Sequence, residues 1–257
     1  MPSGSFDDTM ALSVDAINLD SRSSLPWLGF KPLCLWLGVE LALGLVLGFS
    51  LGFLGADFQA TGPWNPTAVL TIGQGMAAIL AVGIWIRNDM HRHGPERASL
   101  IGWQPASGTL LNTLGLVAVT YVILRVVQAP YFIWLTQYSG MPFPGNAPFI
   151  EGLWLPHAVW TCAVFLVIAP VMEEVVLRGY LQSGLQQRMS PILAVIVTAA
   201  LFASAHLSVA NWLPLFFLGL ALGAVREKTG SVWPCIGLHG LNNAVYLILE
   251  GGSLFSG

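Results

Sequence analysis

Between residues 171 and 182 the chain reads VMEEVVLRGYLQ, which sets Glu173, Glu174 and Arg178 against one of its most apolar runs. An ionisable group in such a run is costly and is by default a functional candidate. The apolar segments hold few others: Glu40, Arg125, His206 and His239, with Asn243 as a neutral companion. Helical spacing sorts them. Adjacent Glu173 and Glu174 point about 100° apart, so they cannot serve together as one paired acid. Glu174 and Arg178 share a face at i, i+4, and a helix-end ion-pair clamp is the plainer reading of those two. Glu173 is then left to face something else.

His206 closes LFASAH on the face of Phe202, four residues earlier. His239 and Asn243, in HGLNNA, repeat the i, i+4 relation, with Asn242 within reach at i+3. Each of these alone has a structural reading: a satisfied helix-end histidine, or polar side chains that bond a neighbouring helix. Together they fall on three different apolar segments, and the cost of each in lipid points to one shared wet cavity. A carboxylate base, a histidine that orients water, and amide or imidazole donors for an oxyanion form a hydrolytic set.

The elements that must position this set are read from composition. Of 257 residues, 55% are hydrophobic and 9% charged, with mean hydropathy +0.70. A soluble chain carries about 25% charged residues. The fold class expected is all-α, a polytopic integral membrane protein whose partner is the lipid bilayer. Net charge −3 and pI 5.9 supply no basic patch for a nucleic acid. Cys34, Cys162 and Cys235 lie singly in apolar segments, an odd count without CxxC spacing, which argues against a disulfide framework and a cysteine zinc site.

A spanning helix needs about 20 mostly apolar residues. Candidates are 33–55, 67–86, 108–128, 156–177, 190–208, 212–226 and 231–250, and an eighth helix has room in 130–155. Residues 1–26 are polar and acidic and read as a flexible cytosolic tail without a cleaved targeting segment. Residues 27–155 form the N-terminal membrane helices, with a cytosolic loop at 87–107 and an outer loop at 129–155. Residues 156–250 form the core that bears the candidate site. With the N-terminus inside, nine of the ten lysines and arginines are cytosolic, and Arg125 falls near the outer end of the third span. Pro130, Pro142, Pro144 and Pro148 predict that the outer loop is not a continuous helix.

The succession Glu173-Glu174-x-x-x-Arg178, Phe202-x-x-x-His206 and His239-x-x-x-Asn243 resembles the CPBP group, the CAAX prenyl endopeptidases and bacteriocin-processing (Abi) proteins. GYLQ after Arg178 and TGSVWPCIGLHG around His239 agree, and the resemblance covers about 156–250. It implies an intramembrane endopeptidase acting on a membrane-associated peptide or lipidated protein. It implies Glu173 as the base that activates water, Glu174 as a second important carboxylate with Arg178 as its structural partner, and His206 as a water-binding residue. His239 and Asn243 would stabilise the oxyanion, and Phe202 would pack behind the site. The group is often labelled metalloprotease, and Glu173, His206 and His239 are a conceivable Zn²⁺ shell, although HExxH is absent; the alternative is metal-free glutamate chemistry, to which we lean. Short loops and compact size point to a bacterial cytoplasmic membrane.

One geometric consequence follows. A fourth helix ending at 177 would leave Glu173 and His206 at different depths, so the helix is expected to continue to about residue 187. Two other functions compete: an ion- or proton-coupled transporter, disfavoured by the absence of an internal repeat, and a non-catalytic scaffold of the same fold.

Overall fold

The computed structural model describes residues 25–53, 55, 66–139, 159–160, 162–206 and 208–250. The regular structure in these residues is helical throughout. α1 is Leu25–Phe53, α2 Pro66–Leu100 and α3 Leu110–Tyr138. The fourth helix, α4, is composite: a π segment Val164–Ile168, an α segment Ala169–Glu174, a second π segment Val175–Gln182 and a last α turn Ser183–Leu185. α5 is Pro191–Ala205, α6 Val209–Thr229 and α7 Trp233–Glu250.

Local chemistry sets the boundaries. Thr109, Ser190 and Ser208 cap α3, α5 and α6, each hydroxyl accepting from the backbone N–H three residues on. Pro191 opens α5, where a missing N–H costs nothing. Gly230 closes α6 at φ 65°, the left-handed geometry that a glycine adopts without strain. α1, α3 and α6 contain stretches long and apolar enough to cross a membrane: Phe30–Ser50, Leu110–Tyr138 and Val209–Thr229. Their outer faces carry exposed large aliphatics and aromatics such as Leu41, Phe49, Leu111 and Val126. Such a surface suits hydrocarbon and not water.

The α4 helix is the axis of the core. Val176, Leu177 and Leu181 pack with Phe202 of α5, Leu218 and Leu222 of α6, and Leu238 of α7. α5 and α6 approach closely because Gly219 faces Ala199: a Cβ on Gly219 would lie 2.8 Å from the Ala199 Cα. Small residues at a crossing are how membrane helices gain packing contact.

The expected extension of α4 is present, since the helix runs without a break through 178–181 and turns at 186–188. Two loop expectations are corrected. α3 continues through Pro130 to Tyr138, so 129–138 are helix. In an apolar medium a proline is tolerated because the unpaired carbonyl has no water to lure it out of the helix and neighbours re-satisfy it. The extension also moves Arg125 to the middle of α3. The part of the outer loop at 140–158 lies outside the described residues, and with it the remainder of the eighth-helix expectation. The supposed cytosolic loop 87–107 is helical to Leu100, with a kink at Gly94 (φ 57°) before Pro95. Its Ile101 is buried and Trp103 packs on Trp233, with ring centroids 4.4 Å apart.

Candidate active site

Three helices bring the sequence-predicted residues together. α4 carries Glu173, Glu174 and Arg178; α5 ends at Phe202 and His206; α7 supplies His239 and Asn243. Close contact between α4 and α7 depends on Gly240, where a Cβ would stand 2.8 Å from the Leu166 carbonyl oxygen.

The two glutamates divide as their 100° offset requires. Glu174 is fully buried, and its Oε1 accepts from Arg178 Nη1 at 3.1 Å and from His239 Nδ1 at 2.9 Å. Arg178, also fully buried, continues to the Gly219 carbonyl at 3.3 Å and lies 4.8 Å over the Phe202 ring. Glu174 therefore does not line the cavity next to it. Glu173 does, with its side chain 13% exposed and its Oε2 without a hydrogen-bond partner in the protein. That oxygen is 3.9 Å from His239 Nε2, too far for a direct hydrogen bond.

The histidine roles follow from their partners. Phe202 O can only accept, so His206 Nδ1, 2.8 Å away, carries the hydrogen and Nε2 is the bare nitrogen of the neutral ring. His239 Nδ1 likewise donates to the Glu174 carboxylate. Phe202 meets both rings edge-on, at 4.8 Å from His206 and 5.6 Å from His239.

Two cavities meet at this point. The first, about 140 Å³, is the more polar of the two and is bordered by Glu173, His206, His239, Asn242, Asn243 and Gln128 among others. The second, about 520 Å³, is largely apolar and formed by Leu33, Trp36, Leu37, Glu40 and Leu41 of α1 with Leu177 and Phe202. Glu173 and His206 border both. A smaller, more polar chamber and a larger apolar one thus share one carboxylate–imidazole wall.

Asn243 is held by backbone geometry peculiar to α4. In the π register the Ala169 N–H bonds Val164 O, five residues back. Phe165 O thereby loses its α-helical donor, and its π-helical donor would be Pro170, which has no N–H. The Asn243 Nδ2 donates to that carbonyl at 2.8 Å. Asn243 Oδ1 in turn accepts from Asn242 Nδ2 at 3.4 Å.

The conceivable zinc shell is not assembled. Among the described residues no three His, Cys, Asp or Glu side chains are grouped so as to hold a metal ion.

Sequence reasoning left Arg125 apart and missed Gln128 and Tyr246. Arg125 Nη2 donates to Gln128 Oε1, to Asn242 Oδ1 at 3.0 Å and to Tyr246 Oη at 3.4 Å. The signal for Gln128 was its i+3 relation to Arg125, and that for Tyr246 its i+4 relation to Asn242.

Residues 155–245 match the family model described as Type II CAAX prenyl endopeptidase Rce1-like. This stretch is of the CPBP family. No curated protein and no solved structure matches the chain. The CPBP stretch spans Glu173 to Asn243, the whole of the motif set, and leaves out Arg125 and Gln128. The matched family is one of prenyl endopeptidases, and α1, α3 and α6 are long and apolar enough to cross a membrane.

Proposed function

We propose that the chain is a multi-pass intramembrane endopeptidase that hydrolyses a peptide bond in a membrane-associated peptide or lipidated protein. The reading places the N-terminus in the cytosol of a bacterial cell, with all seven helices as spans. The observation that carries it is Glu173: a carboxylate oxygen without a protein partner, at a polar cavity bordered also by His206 and His239. A buried unpaired carboxylate oxygen costs free energy unless water or a substrate satisfies it.

In the reaction, a water lies between Glu173 and the bare Nε2 of His206. Glu173 takes its proton as the oxygen attacks the scissile carbonyl carbon. The negative charge moves onto the carbonyl oxygen, which accepts from the second amide hydrogen of Asn243 and, when the ring is imidazolium, from His239 Nε2–H. Collapse breaks the C–N bond, and the proton on Glu173 passes to the departing amine. Glu174 and Arg178 act on this sequence through the ring of His239. Metal-free general-base chemistry of this kind uses only the chain's own residues.

The apolar chamber beside Glu173 suits the hydrocarbon part of a membrane-embedded substrate. A fluorogenic farnesylated CAAX peptide, and the membrane proteome trapped on the Glu173→Gln protein and read by mass spectrometry, test the assignment. Cleavage by the wild type and none by Glu173→Gln is expected. Equal cleavage by both would overturn it, as would a wild type that processes no peptide while folding normally, which is the behaviour of a scaffold.

A further inference from the structure

Arg125 sits midway along α3, outside the CPBP stretch, and is a cation in an apolar segment. Among the described residues no carboxylate pairs with it. Its guanidinium is held by neutral oxygens and by the rings of Tyr121 and Tyr246, at 5.4 and 4.8 Å from their centroids. A part-buried cation without a counter-charge is a poor way to join two helices, because a well-packed apolar side chain serves at less cost.

We infer that Arg125 is a positioning residue that, through Asn242, reinforces the amide orientation Phe165 O imposes on Asn243, an inference that rests on the hydrolytic reading of the site. The chain of bonds runs from Arg125 Nη2 to Asn242 Oδ1, from Asn242 Nδ2 to Asn243 Oδ1, and from Asn243 Nδ2 to Phe165 O. Its direction is determined at both ends. A guanidinium can only donate, so Asn242 must turn its oxygen to Arg125 and its nitrogen to Asn243. A backbone carbonyl can only accept, so Asn243 must turn its nitrogen to Phe165. The two demands agree, and each amide in the middle has one allowed orientation. One hydrogen on Asn243 Nδ2 is used by Phe165, and the other is available to an oxyanion.

Removing Arg125 frees Asn242 to flip. A flipped Asn242 sets its oxygen against Asn243 Oδ1, and that repulsion loosens Asn243 although Phe165 still holds one side. A cation that only stapled α3 to α7 would change stability without this directional effect. Gln128 extends the arrangement, since it accepts from Arg125 and passes a hydrogen to Pro214 O at 2.8 Å, anchoring the guanidinium to α6.

The test uses full-length protein labelled with ¹⁵N-asparagine, with the Asn243 side-chain amide assigned by its loss in Asn243→Ala. In the wild type and in Arg125→Lys, which keeps a donor-only group, the two Asn243 amide protons should stay resolved at a shared position. In Arg125→Met they should move towards the free-amide position, and Asn242→Leu, which leaves the guanidinium in place, should shift them in the same way. With the farnesylated peptide, Arg125→Met should lower kcat about tenfold, a fraction of what losing an oxyanion donor costs. KM should stay within about twofold, Arg125→Lys should recover most of the loss, and the effect should vanish in an Asn243→Ala background. An unchanged Asn243 amide in both Arg125→Met and Asn242→Leu would overturn the relay. So would a kcat loss that persists undiminished without Asn243. If the wild type cleaves no peptide, the hydrolytic reading fails, and the amide spectra still decide the relay.

Discussion

The Nδ1 of His239 lies 2.9 Å from the Oε1 of the fully buried Glu174. This bond ties α7 to α4 and fixes the imidazole so that Nε2 faces Glu173 and the polar cavity. Glu174 is thus a positioning group and Glu173 the one free to meet a reacting water. The two carboxylates of the EE pair are chemically alike and positionally distinct.

That distinction gives opposite expectations for two conservative changes. Glu173→Gln should abolish cleavage and leave thermal stability within about 0.5 kcal/mol of wild type, because the side chain makes no protein hydrogen bond through Oε2. Glu174→Gln should lower stability by about 3 kcal/mol, since it leaves the buried Arg178 without a counter-charge. Thermal unfolding in detergent with parallel cleavage assays checks both. A stable Glu174→Gln protein with wild-type activity would remove the clamp from the account.

His206 is expected to act on the chemical step and not on folding. It is held by a single bond to Phe202 O and borders both cavities. His206→Ala should reduce kcat by about 100-fold or more, the usual scale of a lost acid–base group, with a melting temperature near wild type. Single-turnover cleavage separates this from weakened binding.

Pro170→Ala restores a backbone N–H next to Phe165 O, the carbonyl that Asn243 now satisfies. The new donor competes with the Asn243 side chain, so the variant should lose activity while gaining or keeping helix stability. Cleavage falling by about tenfold with an unchanged or raised melting temperature is the expected pairing. Loss of stability together with activity would show that the π segment needs the proline for packing.

Gly240→Ala should be severe, because its Cβ would stand 2.8 Å from Leu166 O, a backbone atom that cannot step aside. Separation of α4 from α7 would part Glu173 from His239, and a loss of about 2 kcal/mol or more is expected. Urea or thermal unfolding measures it, with Gly237→Ala as the control, since nothing stands within 4 Å of that position.

Chelation tests the chemistry. Protein stripped of metal, with removal verified by elemental analysis, should retain full cleavage activity if Glu173 and His206 activate water directly. Activity lost on stripping and restored by Zn²⁺ alone would reverse that view.

Most of the machinery was legible in the linear chain because it rests on local periodicity. Glu174 and Arg178, Phe202 and His206, and His239 and Asn243 each share a helix face at i, i+4, and each pair lies on one face in the structure. The depth mismatch between Glu173 and His206 was enough to require a longer fourth helix, and α4 runs to Leu185. Pro130 misled: a proline breaks helices in water, yet α3 passes through it without a stop, and α2 runs on past a kink at Gly94 through most of the expected cytosolic loop.

What sequence alone determined was the membrane class, the inventory of polar groups and the helix faces they occupy. Each follows from composition or from a repeat of 3.6 residues, both local properties. Tertiary structure decided which partner each group meets. The π register of α4 leaves Phe165 O to the Asn243 side chain, and the meeting of Arg125 with Asn242 joins residues 117 positions apart. No periodicity encodes such a contact, because it depends on how whole helices are rotated and spaced when their buried faces come together.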